Sequence, residues 1–178
     1  IGSLPHKDAD SALDLVLKCC PEIPFWPQLP RRDIREGMLA QFSENLPCLK
    51  VGTEGLVFNP ENKEAELEKF YEQIINNNIE YFRISEDFAQ GLYAFKKRLG
   101  EMDTGGIQCI KCHIIGPFTF AASIKDDKGA LLLHDPVFMQ AIIKGLAMKA
   151  LWQIEFLKGF GKKIIIFVDE PYLGCFGS

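Results

Sequence analysis

Lys163-Ile164-Ile165-Ile166-Phe167-Val168-Asp169-Glu170-Pro171 runs five branched or aromatic residues straight into two carboxylates and a proline. A short, unbroken apolar run of this kind predicts a strand covered on both faces, as in a parallel sheet. Alternation then puts Ile165, Phe167 and Asp169 on one side and Ile166, Val168 and Glu170 on the other. One carboxylate can therefore face the space beyond the strand tip while the other caps the following turn. Charge is costly in a low-dielectric place unless it is paired, so this pair is either a ligand contact or a helix cap.

Upstream, Asp135-Pro136 predicts the start of the longest helix, running to about Phe160 and stopped by Gly161. Before it, Gly105-Gly106 opens a second apolar strand over 107–115, closed by Gly116-Pro117. Two such strands with a long helix between them form a parallel unit, because parallel neighbours need a helical crossover. The pattern continues toward the amino end. A helix follows Asp8 and Asp10 with Leu13, Val16, Leu17 and Cys20 on one face, ended by Pro21. Residues 24–30 carry three prolines and are read as extended, turning helical from about Asp33. Asn59-Pro60 caps a helix reaching about Asn77, residues 79–84 form a short extended piece, and a helix capped by Ser85 reaches about Leu99.

Strands alternating with helices predict an α/β fold. The polar residues Ser3, Gln28, Thr119 and Asp169 gather just after strands, which is where a (β/α)8 barrel collects its site. About four βα units are visible against the eight of a closed barrel. The expectation is that residues 1–178 form the amino-terminal half of a single TIM-barrel-type domain.

Twenty lysines and arginines against 24 acidic residues give a charge of −4, which offers no basic face for nucleic acid. No apolar run approaches the roughly 20 residues that span a bilayer, and residues 1–7 lack the pattern of a secretory leader. The six cysteines are too few and too irregular for a disulfide framework, so a reducing, cytoplasmic setting is expected.

Cys109-Ile110-Lys111-Cys112-His113 matches the spacing of a haem-attachment segment. Inside a strand, however, residues three apart point to opposite faces, so neither haem nor a metal has two converging thiols there. Cys109 and Cys112 are read as buried strand residues, and Cys19-Cys20 as core and helix end. His6 is read as a loop residue, His113 as a hydrogen-bonded core residue and His134 as the residue before the Asp135 cap. Arg31 and Arg32 are candidates for gripping an anion, with solvated helix-start charges as the alternative.

Several segments together resemble the catalytic barrel of the cobalamin-independent methionine synthase family and the wider group it shares with uroporphyrinogen decarboxylase. Ile1-Gly2-Ser3-Leu4-Pro5 is similar to that family's IGSFP segment, Lys111 followed by Gly116-Pro117-Phe118-Thr119 to its K-x4-GPVT stretch, and Val168-Asp169-Glu170-Pro171 to its IDEPA strand end. More loosely, Trp26-Pro27-Gln28-Leu29-Pro30-Arg31-Arg32-Asp33 lies where the family has HGEPERND. The segments occur in the family's order.

The resemblance implies a TIM barrel and a zinc-dependent methyltransferase of methionine biosynthesis. In it Ile1, Gly2, Ser3 and Asp169 hold the carboxylate and ammonium of homocysteine. The zinc lowers the pKa of the substrate thiol so that a thiolate attacks the methyl donor. Two departures stand out. Gln28 occupies the place of a family carboxylate that grips the substrate ammonium, and an amide loses the charge-assisted bond, worth about 1.5–3 kcal/mol. The family's zinc ligands come from strands after the DEP segment, and none of the six cysteines matches them. Zinc is thus expected of the full-length family and not of this segment.

The implied partners are a small thiol and a methyl donor, either a folate or, preferred for a single-barrel relative, a methylated corrinoid protein. Two other readings stand beside this one. A uroporphyrinogen-decarboxylase-like protein would bind a polycarboxylated tetrapyrrole through Arg31 and Arg32. A non-catalytic half barrel would cover its strand edges by self-association as a homodimer.

Overall fold

The computed structural model describes residues 2–175, so the expectation placed on Ile1 lies outside the described residues. The elements are, in chain order, α1 (Ala9–Cys19), β1 (Leu49–Gly52), β2 (Gly55–Phe58), α2 (Lys63–Ile75), α3 (Gln90–Glu101), β3 (Cys109–Ile115), α4 (Pro117–Ala122), α5 (Pro136–Leu157) and β4 (Lys163–Asp169). The fold is α/β.

β3 and β4 pair in parallel, from Cys109 opposite Lys163 to Ile115 opposite Asp169. Two extended segments continue the order. Phe25 bridges Lys111 in parallel, and Ser3 bridges Gln28 in parallel. The supporting bonds run from Lys111 N to Pro24 O, from Gln28 N to Gly2 O and from Leu4 N to Gln28 O, each 2.9 Å. Four extended segments thus lie side by side in chain order, all pointing the same way. Among the described residues they do not close into a barrel.

Helix ends follow the local chemistry. The Asp8 carboxylate accepts from Ser11 N at 2.8 Å to start α1. Asp135 accepts from Val137 N and Phe138 N ahead of Pro136 to start α5. Gly161, in the left-handed region at φ 65°, ends the turn that follows α5. The core lies between the sheet and the helices, where Ile110, Cys112 and Ile114 meet Leu92, Phe95 and Trp152 in one buried cluster. α3 lies so close to the second segment that a Cβ on Gly91 would sit 2.0 Å from the Pro27 carbonyl oxygen.

The structure differs from the sequence reading in several places, among them the start of α2, which lies at Lys63 and not at Asn59-Pro60. After Asp33 the chain makes two short 3-10 turns, Ile34–Glu36 and Ala40–Phe42, and then the antiparallel hairpin β1–β2 with Gly52 opposite Gly55. Its two-residue turn, Thr53-Glu54, lacks the Asn-Gly signal of common hairpins, which is why the sequence did not announce it. Residues Ile79–Phe82 form a 3-10 turn where an extended piece was expected. Asn77 turns the chain at φ 50°, and Phe82 is fully buried against Phe70. α3 starts at Gln90 and not at Ser85, because Ser85–Phe88 forms a separate turn. Finally, Cys19 is exposed and Cys20 half-buried at the end of α1, so the pair marks a helix end and not core.

Candidate functional site at the strand tips

The register places the predicted polar residues at one level. Ser3 lies beside Gln28; counting on from the Phe25–Lys111 bridge brings Gln28 level with Ile114, and Ile114 faces Val168, one residue before Asp169. Ser3 and Asp169 therefore sit at the same end of the sheet, three strand spacings of about 4.8 Å apart, or roughly 14 Å.

Gln28 is buried within a relay of neutral groups. Ser3 Oγ donates to Gln28 Oε1. Gln28 Nε2 donates to Gln41 Oε1 at 2.7 Å, and Gln41 Nε2 donates to the Phe88 carbonyl at 2.8 Å. Both ends of the Gln28 amide are thus engaged, which fixes its orientation and makes it a support for Ser3. Gln41 was not singled out in the sequence, and nothing in its spacing announces it, since loop packing alone brings it to Gln28.

The proline-rich loop is anchored by Glu36, which has no exposed surface. Its carboxylate accepts from Leu29 N at 2.9 Å, Gln90 N at 3.1 Å and Arg32 Nε at 2.6 Å. Burial raises the Glu36 pKa, with Arg32 and the two backbone N–H groups pulling against it. Arg32 also donates to the Asp87 carbonyl at 3.2 Å, so it is committed to holding the loop. Arg31 is exposed, with no ion pair among the described residues.

The two carboxylates after β4 divide their work. Glu170 accepts from Phe118 N at 3.0 Å and Thr119 N at 2.7 Å, capping α4 from the neighbouring strand. It can do so because Gly116 leaves the space open, where a Cβ would lie 1.9 Å from Glu170 Cδ. Asp169 is half-buried at the tip of β4. Its charge reaches Lys111, whose pKa is lowered by burial and pulled back upward by Asp169. The Lys111 ammonium lies between two rings, 5.1 Å from the centroids of both Phe25 and Phe167.

Two clefts flank this arrangement. One, of about 500 Å³, is walled by Pro21, Ile23, Lys111 and Phe167. The other, of about 360 Å³, lies among Ile34, Met38, Leu39, Leu56, Ser123 and Tyr172, residues of the loops beyond the strand tips and of the hairpin.

His113 is buried, but among the described residues neither ring nitrogen has a hydrogen-bond partner, which corrects the reading of it as a bonded core residue. The ring stacks on Trp26 with centroids 3.8 Å apart and meets the edge of Phe42. Gly2 lies against it, so that a Cβ there would come within 2.8 Å of His113 Cε1.

Among the described residues no group of three or more histidines, cysteines or acids is placed to hold a metal ion. Cys109 and Cys112 stand three positions apart in a regular strand and so face opposite ways. No described helix is long and apolar enough to cross a membrane. Comparison with known protein families, with curated proteins and with solved structures gives no match to the chain.

Proposed function

We propose that the four parallel segments are the first half of a (β/α)8 barrel of the methionine-synthase type, and that the chain supplies the substrate-holding side of a methyltransferase acting on a small thiol. The observation that supports this reading is the placement of Ser3, Gln28 and Asp169 at the same, carboxyl, end of a row of parallel segments, the end at which barrel enzymes bind their substrates. In this reading Asp169 receives the ammonium of an amino-acid thiol such as homocysteine, and the backbone at Gly2 and Ser3 receives its carboxylate. Gln28, held by Gln41, keeps Ser3 in place.

In this reading the family's zinc, which acidifies the thiol, is held elsewhere, and the share of this segment is binding and orientation. The methyl donor in this reading is a folate or a methylated corrinoid protein. A two-arginine grip on a tetrapyrrole is less well supported, because Arg32 is already bonded to Glu36 and Asp87.

Calorimetric titration of homocysteine into the wild-type chain and into Asp169→Asn tests the reading. Loss of the charge-assisted bond should weaken binding tenfold or more, about 1.4 kcal/mol. Binding that is absent in the wild type, or unchanged in the variant, removes Asp169 from the site.

A further inference from the structure

We propose that His113 is a proton-operated latch beneath the first extended segment: protonating its ring releases residues 2–4 from the sheet and takes the Ser3–Gln28 contact apart.

The geometry leaves an imidazolium nowhere to go. Among the described residues both ring nitrogens are buried without partners, while Trp26, Phe42 and Gly2 cover the ring. Such nitrogens are costly even when neutral, and an unpaired buried charge costs far more. Among the described residues the neighbouring elements offer no carboxylate at the ring. The segment 2–4 carries Gly2, Ser3 and Leu4, the second segment presents Trp26 and Gln28, and the loop beyond it presents Gln41 and Phe42. From α5, Gln153 donates to the His113 carbonyl at 3.1 Å. Burial, with the nearby cation Lys111 on β3 adding to it, holds the His113 pKa well below its usual value. Asp169, across on β4, acts on Lys111.

Of the elements around the ring, the first extended segment is the weakest. Among the described residues it has one neighbour, to which it is held by the two backbone bonds between Gly2, Leu4 and Gln28 together with the Ser3 hydroxyl. β3, by contrast, is paired on both sides. Gly2 is also committed to its place, since its φ of 152° lies where other residues are strained. Relief of the charge therefore comes by lifting residues 2–4, which exposes the ring to water and leaves the remaining sheet paired.

The sign follows from linkage. A histidine whose folded pKa is depressed takes up protons more readily in the opened form, so the closed form loses stability as pH falls below the ordinary histidine value.

Hydrogen exchange by NMR tests the latch, with protection factors of the Leu4 and Gln28 amides followed from pH 7.5 to pH 4.0 and amides in the middle of α5 as the reference for global opening. In the wild type, protection at Leu4 and Gln28 should fall at least tenfold more than at the reference. His113→Phe should abolish that difference, and His113→Gln serves the same purpose if the larger ring does not fit. Lys111→Met, by removing the repelling charge, should move the midpoint to higher pH. No selective loss in the wild type, or the same loss in both His113 variants, overturns the proposal.

Discussion

β3 and β4 are neighbours of equal length in one parallel ladder, yet their sequences and their burial run in opposite senses. β3 reads Cys-Ile-Lys-Cys-His-Ile-Ile and is buried at every position, Lys111 and His113 included. β4 reads Lys-Ile-Ile-Ile-Phe-Val-Asp and has no fully buried residue, with Phe167 44% and Val168 57% exposed. Position in the sheet decides the difference. β3 is paired on both sides and covered by α5, whereas β4 has one described partner, and an edge cannot hide its side chains however apolar they are. Hydropathy thus identified β4 as a strand, while the described residues leave its side chains only partly covered.

Substitutions along the two strands should follow this contrast. Ile114→Ala, in the middle strand, removes a fully packed side chain and should cost about 2–5 kcal/mol in urea unfolding. At the junction of the two strands, Gly116→Ala drives a methyl into Glu170 and breaks its bonds to Phe118 N and Thr119 N. The expected loss is about 2–3 kcal/mol by the same measurement, and a loss below about 0.5 kcal/mol would mean that the carboxylate caps nothing.

Lys149 sharpens the comparison from the helix that covers β3. It is completely buried, with one long bond of 3.4 Å to the Arg83 carbonyl, and burial lowers its pKa to about 8. The unfolded chain therefore holds more protons above about pH 8, and this group adds stability as pH rises from there toward its ordinary value of 10.5. Cys48, Cys112 and Tyr93 act oppositely at higher pH, because burial pushes their pKa values up to about 11, 12 and 12. Comparing thermal unfolding of the wild type and Lys149→Met from pH 7 to 9 isolates the lysine. The variant should be about 1–2 kcal/mol more stable at pH 7, with that advantage shrinking as pH rises. The smallest effect belongs to β4. Val168→Thr, on an exposed position of a strand, should stay within about 0.5 kcal/mol, and a loss above 2 kcal/mol would show that something covers this face in solution.

What could be read from the sequence was what local chemistry fixes. The Asp135-Pro136 start of α5, the strand at 107–115 and the strand ending at Asp169 all emerge within two residues of their expected bounds, since caps, glycines and apolar runs act over a few residues. The α/β alternation followed from them. The hairpin and the turn at Ile79–Phe82 did not, because their geometry is set by what Phe58, Phe70 and Phe82 pack against. The same division runs through the candidate site. Ser3, Gln28 and Asp169 were legible as polar residues at strand ends, whereas Gln41 and Glu36 owe their places to contacts across loops. His113 was legible as buried but not as unpartnered, for a sequence gives the depth of a residue more readily than the company it keeps.

The Glu170 cap ties the birth of one element to the arrival of another. α4 has six residues, too few to hold together as an isolated helix in water, and its first free amides are satisfied by a carboxylate more than fifty positions later in the chain. During folding its first turn should stay frayed until β4 docks, so that the turn after β3 records, as a late event, the completion of the strand pair beside it.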